Sequence, residues 1–235
     1  PFENVQGGPD GGGYYWSSSS VEPSIDYEWI EIEDIGTQIE LVHNDQFAAN
    51  PISLPFDFQY FGETYDYIYV NANGWIGWAN IKETEWLNTG IPNTNSPRSA
   101  IFGFWDDLNP NNANGNQNSS GDIYFHANND RAVVWFNDVV RWNTDDFGQF
   151  DFQIVLYADG TFRSNYREMS GVINSGTIGW QNADGNEGTQ LSLNDDFVSQ
   201  DFSWFASTVD EDVPWLSLES SIGDISGILM GGESV

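Results

Sequence analysis

No cysteine occurs among the 235 residues. Disulfides, thiol nucleophiles and cysteine-bound zinc are therefore excluded. Bases are nearly absent too: six Lys plus Arg stand against 36 Asp plus Glu, for a net charge of −30, and Lys82 is the single lysine. Such a field repels nucleic acid and anionic lipid head groups, so neither is an expected partner, while divalent cations are attracted. The same charge also serves plain solubility in a salty exterior. Histidine is limited to His43 and His126, both placed at strand ends, where a lone imidazole is usually structural. No nucleophile elbow, phosphate loop or two-histidine zinc helix is present. Paired carboxylates could hydrolyse a glycoside, but with 36 acids some pair lies close by chance and carries no information. The expectation is a protein that is not an enzyme. Long apolar runs are missing as well; none approaches the roughly 20 residues that span a bilayer.

Aromatics are what the chain has in quantity: 16% of residues, including 11 Trp, within a hydrophobic total of 39%. That is enough for one large β domain with a sizeable core. From Tyr27 onward the pattern has period two. In "FDFQIVLY", Phe150, Phe152, Ile154 and Leu156 share one face, and Asp151 and Gln153 the other. Alternation of this kind marks half-buried strands. Strands are expected at 27–32, 37–42, 51–58, 65–70, 74–79, 100–105, 122–126, 131–137, 149–157, 161–167, 176–181 and 201–206. The fold class is all-β, an antiparallel β-sandwich of about 12–14 short strands. "ADGT" predicts a two-residue hairpin turn at Asp159-Gly160, both with positive φ. Residues 1–24, rich in Gly and Ser around Tyr14–Trp16, read as a loop-like N-terminal arm. Residues 25–212 form the β domain. Residues 213–235 read as a linker or as the start of a following module, since "WLS" leading into a Gly-containing turn weakly resembles the opening strand of Ig-like modules.

The stretch "FWDDLNPNNANGNQNSSGDIYF" poses the functional question. An apolar run ends in Asp106 and Asp107, and the loop after it offers oxygens but no base. Adjacent strand residues point to opposite faces. A buried carboxylate is costly unless paired or metal-bound. Calcium takes six to eight oxygens from carboxylates, amides, carbonyls and water. Asp106, Asp107, Asn109 and Asp122 are therefore the candidate calcium ligands, with zinc disfavoured by the all-oxygen set. The ordinary alternative is that the aspartates cap the loop by accepting backbone N–H bonds. A second acidic loop, Gln181 to Gly188, echoes a calcium loop but lacks its terminal glutamate; Asp145 and Asp146 read as a turn. Trp78, Trp86 and Trp142, with Asn182 and Asp184, are candidate ligand contacts. Trp75 and Trp135 could also stack on sugar rings, though most aromatics in such a sandwich belong to the core.

The order of motifs carries a resemblance. "VNANGWIGW" precedes "IPNTNSPRSAIFGFWDDLNP", then come "GDIYF", "VVWFNDV", "FDFQIVLYADGTFRSNY" and "GTIGWQNADG". Over residues 50 to 206 this resembles the nidogen-like (NIDO) extracellular domain and related bacterial surface-protein modules. The family positions fall on Asn73-Gly74-Trp75, Trp105, Asp107, Asn109, Gly121, Tyr124, Phe152-Gln153, Asp159-Gly160 and Gly179. Asn109 stands where the family has a second acid, and the cysteines of some animal members are absent. The resemblance implies a secreted or cell-surface, non-catalytic module for adhesion or assembly, with other surface proteins, glycans or copies of itself as partners. Two alternatives stay open: a carbohydrate-binding accessory module of a secreted hydrolase, and a subunit of an extracellular filament. An aromatic row on a concave face favours the first, and an N-terminal arm lying away from its own domain favours the second.

Overall fold

Period-two alternation resolves into two antiparallel sheets in a computed structural model that describes residues 6–20, 25–40, 50–79, 86–110, 119–142 and 148–208. The larger sheet has eight strands. In spatial order they are β1 (Gln6–Gly7), β2 (Tyr15–Ser18), β14 (Phe202–Ser207), β11 (Phe162–Ser170), β10 (Gln149–Tyr157), β9 (Arg131–Val139), β8 (Asp122–Ala127) and β3 (Thr37–Gln38). The smaller sheet has six. They run β13 (Gly188–Leu193), β12 (Thr177–Gln181), β7 (Ala100–Trp105), β6 (Trp75–Gly77), β5 (Glu63–Asn71) and β4 (Ile52–Tyr60). The sandwich expected from the sequence is the observed fold.

The core lies between the sheets and is aromatic. Phe136 and Phe152 stack with centroids 4.5 Å apart, and Phe104 stacks on Phe150 at 5.0 Å. Phe150, Phe152, Ile154 and Leu156 all enter this core, as the alternation predicts. Gly103 faces it as well; a Cβ there would crowd Ile154 and Phe152. Each fully buried large side chain contributes about 1.5–3 kcal/mol over exposure, which makes this layer the main source of stability.

The outer face of the large sheet departs from expectation. Asp151 and Gln153, assigned by alternation to a solvent side, are buried. Residues 27–32, expected as a strand, belong to neither ladder and instead cross this outer face as a strap. Gln153 holds the strap by accepting from Ile30 N–H (3.2 Å) and donating to the Ile30 carbonyl (2.7 Å), which imitates a strand partner. Ile30 and Ile32 pack on Val133, Trp135 and Val155. Arg163 donates to the Glu28 carboxylate (2.7 Å) and to the Asp26 carbonyl (2.9 Å).

Three further corrections follow. Within the loop-like reading of residues 1–24, β1 and β2 are strands of the large sheet, and Tyr14 and Trp16 are buried. Asp10 fixes this segment: it accepts from Gly12 and Tyr14 N–H, from Trp180 Nε1 (2.8 Å) and from Thr189 Oγ1 (3.1 Å). Residues 188–193 form β13, which the sequence reading does not contain. The hairpin between β10 and β11 has a three-residue loop rather than two. Tyr157 N–H donates to the Thr161 carbonyl (2.9 Å), Gly160 N–H closes a turn on the Tyr157 carbonyl (3.0 Å), and Gly160 alone has positive φ, +92°. Asp159 accepts from Thr161 N–H and Oγ1, which stabilises a conventional turn ahead of the left-handed glycine.

Candidate functional site

Asp106 follows directly on β7, and Asn73-Gly74 sets its position. Gly74, at φ +85°, accepts both Gly103 and Phe104 N–H on its carbonyl, and any Cβ would collide with the Phe104 carbonyl oxygen. Glycine is therefore required between β5 and β6. Asn73 takes Asp106 N–H on its carbonyl and Leu108 N–H on its side-chain oxygen (3.0 Å). The chain turns at once: Leu108 bridges to Arg141, and Asn109 N–H reaches the Val140 carbonyl at 2.7 Å.

Asp106 is buried, its side chain 5% exposed, and carries its own counter-ion. Arg141 Nε lies 2.7 Å from Oδ2 as an ion-pair contact, while its directed hydrogen bond runs from Nη2 to Oδ1 at 3.3 Å. Ser175 Oγ donates to Oδ2 at 2.5 Å and Asp107 N–H to Oδ1 at 2.8 Å. Burial pushes the Asp106 carboxyl above its ordinary range, opposed by the Ser175 hydrogen bond and the Arg141 charge. A guanidinium thus neutralises the charge at the lip of the strand, and neutralisation of Asp106 calls for no ion.

The other candidate ligands are distributed around this point. Asp107 is half-buried, and its carbonyl accepts Trp142 N–H at 2.8 Å. Asn109 is buried. Asp122 opens β8, half-buried, and accepts from Gln38 Nε2 at 2.7 Å. Among the described residues no three His, Cys, Asp or Glu side chains converge as a metal centre would need. Residues 111–118, the centre of the oxygen-rich loop, and Asp145, Asp146 and His43 lie outside the described residues. In the second acidic loop Asn182 is turned inward on the loop itself: Nδ2 donates to Asn186 Oδ1 (2.8 Å), and Oδ1 accepts from Asn186 and Glu187 N–H. Asp184 is exposed.

Of the tryptophans, Trp78 is 2% exposed and stacks on Phe58 in the core, so it offers no surface to a ligand. Trp86 and Trp142 are exposed, at 52% and 36%. Trp75 is buried with Phe102, Trp105 and Ile91, and Trp135 lies under the strap. An aromatic row does exist on β5, where Tyr65, Tyr67 and Tyr69 are half-buried at every second position. Their neighbouring rings stand nearly perpendicular, at 86° and 82°.

A second buried carboxylate escaped the sequence reading. Asp151 accepts from Trp135 Nε1 (2.7 Å) and pairs with Arg167 Nε (2.5 Å). Arg167 also covers the Trp29 ring, 4.3 Å from its centroid, and approaches Glu31 at 3.8 Å. Burial raises the Asp151 carboxyl too, against its bonds to Trp135 and Arg167. Scarcity of bases was the available signal. Four of the chain's six basic residues, Arg131, Arg141, Arg163 and Arg167, are in ion pairs, and three of these hold the strap.

One open groove of about 420 Å³ runs between the two sheets' edges, lined by Thr37, Ser53, Leu54, Pro55, Phe125, His126 and Ala127. No acid lines it, although the chain has 36.

Comparison with known proteins agrees with the motif order. A family model described as NIDO related matches residues 23–212. No curated protein and no solved structure matches the chain. The match includes the β7 terminus with Asp106, the Asn73-Gly74 turn beneath it, and every strand from β3 to β14. The chain belongs to the NIDO-related family.

Proposed function

We propose that this domain is a non-catalytic extracellular or cell-surface module that acts in adhesion or assembly, presenting loops from a rigid sandwich. Membership of the NIDO-related family supports the extracellular placement. The observation that carries the reading is the use made of the buried acids. Asp106 and Asp151 are each closed off by an arginine and by neutral donors, Ser175 and Trp135 respectively. A general acid or nucleophile has to face a substrate; these carboxylates face the fold. Partners of the expected kind are other surface proteins, glycans or copies of the chain. Calcium, as a cofactor of the module, would fall to Asp107 and Asp122 rather than Asp106, whose oxygens already serve Arg141, Ser175 and a backbone amide. The test is a paired screen: turnover on polysaccharides, peptides and esters, and binding to arrays of glycans and surface proteins. Background turnover with saturable binding is the expected result. Turnover lost on substituting one carboxylate pair refutes the reading.

A carbohydrate-binding role is favoured by one observation, the half-exposed Tyr65–Tyr67–Tyr69 row together with exposed Trp86 and Trp142. Stacking on a sugar needs an open ring face, and edge-to-face packing within the row takes part of that face away. Glycan affinity lost on Trp86→Ala or Trp142→Ala would establish this second role. The N-terminal arm does not favour the filament reading, since residues 6–18 are tied to their own sheet through β1, β2 and Asp10.

A further inference from the structure

We infer that β13, the edge of the smaller sheet, together with the apolar patch at its end, is a docking surface for an extended segment of another protein, one that carries basic residues on both sides of an apolar centre. The inference rests on the reading of the domain as an assembly module and names the chemistry of a partner for it. The sheet edges differ in how they are guarded. β1 and β3 are two residues long. β4 has Pro55, the exposed Asp57 and a register break against β5 between Ser53 and Phe58. β13 reads GTQLSL, six residues without a charge or a proline in a chain with 36 acids. Its one irregularity is the register shift that leaves Leu191 without a partner on β12, and the Leu191 side chain packs on the core. Among the described residues no strand lies on its outer side. An antiparallel edge strand points alternate backbone N–H and C=O groups outward, where an added strand can take them.

Apolar anchors sit at the end of this edge. Leu193 is exposed, and the segment 88–90 is fixed beside it. Asn88 Nδ2 donates to Asn194 Oδ1 (2.8 Å) and to Thr177 Oγ1 (3.1 Å), and a Cβ on Gly90 would stand 3.4 Å from Leu193 Cδ2. Trp86 and Leu87, directly before Asn88, are 52% and 66% exposed. Three of the five exposed large hydrophobics among the described residues therefore belong to β13 or to the segment tied to it. Apolar side chains beside an unpaired strand edge supply the anchors that a docked strand needs. Charge selects the occupant. Glu187 precedes β13, Asp195 and Asp196 follow it, and all three are exposed. A neutral edge with acids at both ends complements a segment with bases at both ends. A second copy of the chain is disfavoured. Antiparallel pairing of two β13 strands about their centre would set Glu187 of each copy opposite Asn194 of the other, next to Asp195 and Asp196, and like charges repel there. Nor has a copy bases to offer, since four of its six are in ion pairs.

The test titrates the full chain with the peptide Lys-Lys-Val-Thr-Ile-Thr-Val-Lys-Lys and follows backbone amide resonances and amide exchange. Two control peptides accompany it: one with glutamates in place of the lysines, and one N-methylated at its central amides, which keeps the charge and cannot pair as a strand. The basic peptide should shift the amides of Thr189, Gln190 and Leu193 and the Trp86 indole, and should slow exchange within β13. Both controls should bind at least about tenfold more weakly. Leu193→Arg and Leu87→Arg should each weaken binding by about tenfold or more; the second lies outside both sheets, so it serves if the first disturbs the fold. Asp66→Asn on β5 makes the same change of charge away from β13 and should leave binding nearly unchanged. Equal binding of the N-methylated peptide means attraction to the acidic surface alone and overturns the inference. Equal binding of the glutamate peptide, or shifts that bypass β13, overturns it as well. Shifts at β13 that appear on raising the concentration of the chain alone assign the edge to a second copy and do the same. No peptide binding, alongside saturable binding to glycans or surface proteins in the screen, removes this surface and leaves the module reading standing; carboxylate-dependent turnover in that screen removes the module reading itself.

Discussion

Replacing Arg141 by Met removes the counter-ion of Asp106 while keeping most of the side-chain volume. The Asp106 side chain is 5% exposed and that of Arg141 18%, so the pair is shielded enough for pairing to matter. Stranding one partner of a buried pair costs about 3–5 kcal/mol. The variant should lose about that much near neutral pH by urea denaturation at constant ionic strength. The loss should depend on pH. Asp106 in the fold already titrates above its ordinary value through burial. An acid whose folded pKa is raised binds more protons folded than unfolded, so its contribution to stability falls as pH rises through that window. Without Arg141 the carboxyl climbs further, and the deficit should shrink on acidification by up to about 1.4 kcal/mol per pH unit within the window. Asp106→Asn in the Arg141→Met background should restore part of the loss, because the amide needs no counter-ion and still accepts from Ser175. A double-mutant cycle should then give a coupling above roughly 1 kcal/mol. Strictly additive single losses, or a deficit flat from pH 7 to about pH 5, would refute the assignment of Arg141 as the cation of this site.

Gly74→Ala should destabilise by more than about 3 kcal/mol or prevent folding, since a positive φ and a collision with the Phe104 carbonyl coincide; a soluble variant with unchanged Tm contradicts the turn. Gly160→Val should cost about 1 kcal/mol or more for φ alone, as the site is otherwise open, its nearest neighbour being Gln59 at 3.7 Å; thermal melts decide it. Asp10→Ala should destabilise by about 1–3 kcal/mol through the lost partners of Trp180 and the N-terminal turn, and no change in urea midpoint would detach residues 6–18 from the domain. Calcium should raise stability by about 2.7 kcal/mol at a hundredfold excess over its Kd, Asp107→Asn should remove the increment and Glu219→Gln should not; equal effects of calcium and sodium at matched ionic strength remove the ion from the module.

Strands with strict alternation were legible because one face of each meets the inter-sheet core. β10 is the clear instance: its inward residues read correctly. What the sequence concealed was the treatment of the opposite face. The reading of Asp151 and Gln153 as solvent-facing follows from alternation alone; Gln153 is capped by the strap, contributed from more than a hundred residues away, and Asp151 is closed off by Trp135 and Arg167 from neighbouring strands. β2 was hidden by "YYWSSSS", where Ser17 and Ser18 are buried polar residues in place of an apolar pattern. β13 was hidden by short polar residues on an edge strand. At Asp106 the cost of an unpaired charge was legible, and the partner was not. Arg141 lies 35 residues on, and its place opposite Leu108 depends on the whole excursion through β8 and β9.

The distribution of the six bases connects the site to the surface. Arg141, Arg163 and Arg167 pair with Asp106, Glu28 and Asp151, and so spend their charge on local partners that are buried or partly buried. They do little to offset the rest of the 36 acids, so the exterior keeps most of the net −30. Self-repulsion of that exterior disfavours the compact state and is relieved by salt of any kind. Screening acts weakly on the shielded pairs and strongly on the surface. Added salt should therefore stabilise the parent chain and the Arg141→Met variant alike and leave the difference between them nearly intact. A gap that closes with sodium chloride would mean that Arg141 acts through the surface field and not as the partner of Asp106.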